Sequence, residues 1–202
     1  TLISLIPRLY DVTEGKVLIG GADVRRISLT SLRQKIGIVL QNSILFTGTV
    51  GDNLRFGNQQ ADMAELLQAV ADAQADFVTG LPQQLDSPVE QRGRNFSGGQ
   101  KQRLSIARSL AAQPDILILD DSSSALDFAT DAALRKALKT LPAAMTVFIV
   151  SQRASSLRHA DLILVLDEGR LVGQGTHEEL LRTCGVYRDI CQSQFQKEEQ
   201  VG

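Results

Sequence analysis

The opening ten residues are largely apolar, and their spacing predicts the end of a buried helix, with polar residues 11–15 turning the chain out of it. Short apolar runs at 16–19 and 36–39 read as strands, the second closing at Gln41. Residues 42–60 contain Gly48, Gly51 and Gly57 and read as turns. Over 61–79, Met63, Leu66, Leu67, Val70 and Ala71 follow helical spacing. Residues 80–95 are polar. A stripe of Leu104, Ile106, Ala107, Leu110 and Ala111 then marks a helix over 100–112, ended by Pro114. Residues 116–119 are apolar at every position, the pattern of a parallel strand covered on both faces, and 145–150 repeats it after a helix at 127–141. Two further strands, 162–166 and 170–172, flank a turn at 167–169. Thr176 and Glu179 form a capping box that opens a helix at 177–183, and the polar tail from Gln192 is expected to fray. Strands alternating with helices predict an α/β fold with a mostly parallel sheet, and the helix-rich stretch 42–112 predicts a helical insertion.

Composition narrows the function classes. With 202 residues, 43% of them hydrophobic, the chain can bury one sizeable core. Its 21 basic and 23 acidic side chains, net −2, argue against a broad basic face for nucleic acid. No apolar run reaches membrane-spanning length, and no secretory leader is recognised. The apolar start at Thr1 suggests a chain entered mid-domain. Cys184 and Cys191 lack metal or redox spacing and read as packed thiols. His159 reads as a surface residue and His177 as part of a first helical turn. Lys101 and Arg103 read as a solvated helix face.

Two stretches carry chemistry. The run ILILDD, residues 116–121, is a buried strand ending in two carboxylates, and ligands of parallel sheets sit at such strand ends. One carboxylate can hold Mg²⁺ through water and the next can orient an attacking water; equally, Asp121 or Ser122 can simply cap the next turn. The run FSGGQ, residues 96–100, places Ser97, Gly98 and Gly99 at a helix N-terminus, where glycines let backbone N–H groups approach an anion. Its plain alternative is an N-cap.

Together and in this order the motifs resemble the nucleotide-binding domain of ATP-binding cassette (ABC) transporters, over essentially the whole chain. FSGGQ is similar to the signature motif, ILILD to Walker B, SALD at 124–127 to the D-loop, and Gln41 to the Q-loop glutamine. VSQR at 150–153 stands where the switch histidine belongs. LFTGTVGDNL at 45–54, ADLILVLDEG at 160–169 and GTHEEL at 175–180 resemble exporters. The resemblance implies a P-loop NTPase fold of the α/β class, with ATP and Mg²⁺ as ligands. It assigns nucleotide contact to Thr1, Gln41, Ser97, Gly98, Gly99, Gln100 and Asp120. Gln41 and Asp120 would serve Mg²⁺, Asp120 through water, and Asp121 and Gln152 would be the catalytic pair. Phe96, Ser124, Ala125, Leu126 and Asp127 would lie at a dimer interface.

Three departures qualify it. The P-loop, G-x-x-x-x-G-K-[ST], is not found; Thr1 aligns with the Thr after its Lys and Ser, so the cradle would lie upstream and this stretch alone would be inactive. Asp121 replaces the usual Glu and loses about 1.5 Å of reach, where misplacement of ~1 Å can cost about a hundredfold in rate. Gln152 replaces the switch histidine and carries neither proton nor charge. The signature changes only at Phe96. Weak Walker-side chemistry beside a sound signature resembles the degenerate half of a heterodimeric multidrug exporter. That implies a transmembrane domain in the same polypeptide, a second ABC subunit with a full catalytic site, a transported small molecule or lipid, and a place at the cytoplasmic face of the cell membrane. A slow homodimeric exporter, a regulatory subunit that hardly turns ATP over, and a soluble ABC ATPase are the alternatives.

Overall fold

A computed structural model describes residues 2–122 and 124–199. The chain divides between Val150 and Ser151 into two compact units.

In the first unit, a 3₁₀ turn (Leu2–Leu5) precedes strands β1 (Leu18–Ile19) and β2 (Ala22–Asp23), helix α1 (Leu29–Gln34) and β3 (Ile36–Val39). There follow β4 (Gly48–Thr49), α2 (Val50–Arg55), α3 (Met63–Asp72), β5 (Pro88–Val89) and α4 (Gly98–Ala111). Then come β6 (Ile116–Asp120), α5 (Phe128–Leu138) and β7 (Thr146–Val150). β6 lies between β3 and β7, parallel to both. Leu117 and Leu119 pack into the core shared with α4, while Ile118 turns to the opposite cluster with Ile3, Leu32 and Ile36. A strand covered on both faces has no polar position to spare, which is why ILIL is apolar throughout. The α/β class with a parallel sheet is thus observed.

The first residues differ from the expected helix end. Only one 3₁₀ turn forms, with Ile3 buried. Pro7 lacks an N–H, and Arg8 takes φ +52°, so helical bonding cannot continue. The stretch read as turns contains a helix, α2, opened by a capping box between Thr49 and Asp52.

The second unit holds α6 (Ala154–Leu157), the hairpin β8 (Ile163–Asp167) and β9 (Arg170–Gly175), α7 (His177–Thr183) and α8 (Gly185–Glu199). The hairpin and the Thr176–Glu179 box form as expected. The tail expected to fray is instead helical as far as Glu199. Its inner face supplies Tyr187 and Cys191, which pack with Cys184 and Leu180. Burial pushes the Tyr187 hydroxyl up to about 12 and raises the Cys191 thiol as well. Both cysteines are buried free thiols, in keeping with packing. Among the described residues, no helix is long and apolar enough to cross a membrane.

Candidate nucleotide site

The central strand delivers the first group of side chains. Parallel pairing of β3 with β6 keeps one offset throughout, from Ile36 opposite Ile116 to Val39 opposite Leu119. Continued two residues, that offset sets Gln41 opposite Asp121. Their side chains meet there: Gln41 Nε2 donates to Asp121 Oδ2 at 3.0 Å. Two runs of equal length, IGIVLQ and ILILDD, carried this juxtaposition in the sequence, but only pairing makes it visible.

Asp121 then turns the chain out of the sheet. Its N–H donates to Val150 O at 2.9 Å, prolonging the ladder. Its φ is +47°, a left-handed conformation that Asp tolerates better than most residues. Ser124 closes the turn, donating its hydroxyl to Asp121 O at 2.9 Å. Leu126 is buried and anchors the segment, and Asp127 caps α5 by accepting from Thr130 N at 2.9 Å and Thr130 Oγ1 at 2.8 Å. Those bonds, the backbone one foremost, hold the Asp127 carboxyl below the usual carboxylate range.

The second group sits at the start of α4. Ser97 and Gln100 form a reciprocal capping box: Gln100 N donates to Ser97 Oγ at 3.2 Å and Ser97 N to Gln100 Oε1 at 2.9 Å. The caps leave the N–H groups of Gly98 and Gly99 without intrahelical partners, in the position where helix N-termini receive phosphate. A Cβ on Gly99 would stand 3.1 Å from Ala125 O, so the turn of α4 and the 124–127 segment lie against each other within one chain.

Of the five residues expected at a dimer face, Ser124, Ala125 and Asp127 are exposed. The other two are Phe96 and Leu126. Both side chains are buried, and the Phe96 ring lies 6.0 Å from that of Phe77. They support the two segments from beneath because no polar atom draws them to solvent. Thr1 lies outside the described residues.

Gln152 belongs to the second unit and is exposed. Gln194 on α8 donates to its carbonyl and accepts from Ala154 N at 2.8 Å. Sequence reading missed Gln194, since it falls in the tail expected to fray.

Asp120 and the Gln41 carboxamide supply the hard oxygen donors that suit Mg²⁺. No cluster of three or more acidic, histidine or cysteine side chains able to hold a metal occurs among the described residues. Mg²⁺ takes few protein oxygens and completes its shell with phosphate and water, so donors of this chemistry suit it.

Residues 1–124 match the family model described as ABC transporter. This chain belongs to the ABC transporter family. Its fold is the P-loop ATPase fold of that family. Over 203 residues it is 44% identical to an ATP-dependent lipid A-core flippase of Syntrophus aciditrophicus, covering 100% of this chain and 34% of that protein. It is 46% identical over 191 residues to a putative multidrug export ATP-binding/permease protein of Staphylococcus aureus, covering 94% of this chain and 33% of that one. Among solved structures, a bacterial Atm1-family ABC exporter with ATP bound superposes with a TM-score of 0.91 at 41% identity, covering 96% of this chain and 34% of that one. The chain thus spans about a third of the length of the curated relatives it matches.

Proposed function

We propose that this chain is the ATP-hydrolysing domain of an ABC exporter and supplies the degenerate half of a heterodimer. The membrane domain belongs to the same polypeptide, which holds the chain at the cytoplasmic face of the membrane and exports a small molecule or lipid. The stretch 42–112 acts as its helical subdomain. The apolar surface of Ile44, Phe46 and Phe56, exposed at 57%, 46% and 67%, supports docking of a membrane partner there.

The roles follow from the chemistry at each position. Asp120 and Gln41 hold Mg²⁺ beside the phosphates, and the ion neutralises charge on them when bound. Asp121 orients the attacking water from a carboxylate one methylene shorter than the family's usual Glu. Gln152 contacts the γ-phosphate by hydrogen bonding alone. Ser97, Gly98 and Gly99 close on the γ-phosphate held by the second subunit, and the exposed Ser124, Ala125 and Asp127 face that subunit.

One observation carries this reading. The signature turn is complete in its caps and its free N–H groups, while the two positions that would handle the water and the γ-phosphate are Asp121 and Gln152. A slow symmetric homodimer is the second reading. It is favoured by Asp121 remaining a carboxylate already oriented by Gln41.

The test uses the full-length transporter with any subunit it retains. ATP turnover of Ser97→Arg and Asp121→Asn is compared with the parent. We expect Ser97→Arg to abolish turnover and Asp121→Asn to leave it within about twofold. Loss in both variants means that Asp121 works, and the symmetric reading replaces this one.

A further inference from the structure

Helix α4 grips the segment that carries Gln41 at three points. Ser109 Oγ donates to Ile38 O at 3.3 Å, before Gln41. Ser43 Oγ donates to Gln102 Oε1 at 2.5 Å, and an Arg108 guanidinium nitrogen donates to Ile44 O at 3.1 Å, both after it.

Gln102 is the unusual member. It is only 2% exposed, and its Nε2 has no hydrogen-bond partner. A buried amide with an unpaired donor is a costly way to fill space, because the lost hydration is not replaced. An apolar side chain of similar length would pack there without that loss. Packing therefore does not ask for Gln at this position. What Gln supplies is an acceptor for Ser43. Gln102 stands five residues beyond Ser97 on a continuous helix, and Ser43 stands two residues beyond Gln41.

We propose that Gln102 is a positioning residue that, through Ser43, sets Gln41 and the N-terminal turn of α4 in one fixed relation. The Gln41–Asp121 contact and the phosphate-facing turn at Ser97–Gly99 are then placed together rather than separately. This inference rests on the reading of Gln41, Asp121 and Ser97 as nucleotide-contacting groups.

The test is made on the full-length transporter. Gln102→Met removes both polar ends of the amide at nearly constant length. The expected result is a thermal midpoint equal to or above the parent's, a kcat for ATP lowered on the order of tenfold to a hundredfold, and a KM for ATP within about twofold. Ser43→Ala should lower kcat alike, Ser43→Thr should restore it, and the double variant Ser43→Ala with Gln102→Met should be no worse than either single change. Hydrogen exchange at residues 41–44 should quicken in Gln102→Met without nucleotide. Parent-like kcat and parent-like exchange in Gln102→Met overturn the proposal, as does a fall in kcat that tracks a fall in thermal midpoint. If the parent itself shows no ATP turnover, it is the reading of the site that fails. The exchange experiment then still decides whether Gln102 holds the segment.

Discussion

The start of α4 and the end of β6 are built on different principles. At α4 the proposed working groups are backbone N–H donors, whose placement follows from helix geometry once Ser97 and Gln100 have capped the turn. At β6 the proposed working groups are side-chain carboxylates, placed by strand register and by the left-handed turn at Asp121. Backbone donors do not depend on any side chain's length, so the α4 end accommodates Phe96 in place of the family's usual Leu by burying it. A carboxylate must reach, and one methylene changes what it reaches. Substitution is cheap at one end and expensive at the other.

The strongest challenge to that contrast is to restore the expensive end. In the full-length transporter carrying Ser97→Arg, which on the proposed heterodimer reading silences the other site, we expect Asp121→Glu with Gln152→His to raise ATP turnover on the order of a hundredfold. Steady-state phosphate release measures it. No rise over Ser97→Arg alone would mean that side-chain reach at β6 is not what limits this site.

A milder change probes the cheap end. Ser97→Ala removes the cap of α4 and should cost about 1 kcal/mol, or on the order of 2–4 °C in thermal midpoint. Because the N–H groups of Gly98 and Gly99 remain, turnover should fall by less than tenfold. A far larger loss would show that the Ser97 hydroxyl, not the backbone, carries the phosphate contact, and the contrast between the two ends would dissolve.

How much of this was readable in the sequence follows the same division. Elements announced by local signals stood out: the all-apolar run of β6, the Ser97 turn ahead of a helical stripe, the Thr176–Glu179 box, and the turn at 167–169. Those resting on tertiary context did not. Gly48, Gly51 and Gly57 made 42–60 read as turns, yet Gly51 lies inside α2, where a Cβ would stand 3.2 Å from Leu85 O. Glycine at that position serves close approach rather than flexibility. The last helix was obscured by its polar end, although Cys184, Tyr187 and Cys191 already marked one buried face. At the site, the resemblance named the individual residues. The Gln41–Asp121 bond, Gln102 under Ser43 and Gln194 under the Gln152 loop needed the pairing of distant segments, which no local pattern encodes.

Asp127 offers the finest test, since it belongs to the β6 end in sequence but behaves like the α4 end. Both its carboxylate oxygens accept from Thr130, so its first use is to cap a helix in its own chain. Its carboxyl lies below the usual range in the folded protein, chiefly because of the Thr130 backbone N–H. A depressed folded value contributes stability that is complete above the unfolded value, near pH 4, and is lost as pH falls through the folded value. Asn also caps helices but does not titrate. The thermal midpoint of Asp127→Asn should therefore lie slightly below the parent's at neutral pH. The gap should close as acid protonates the parent's Asp127, with the closure starting near pH 4. A gap that stays constant across that range would show that the charge adds nothing to the cap. Asp127 would then be judged, like Asp121, by what its carboxylate reaches rather than by the helix it caps.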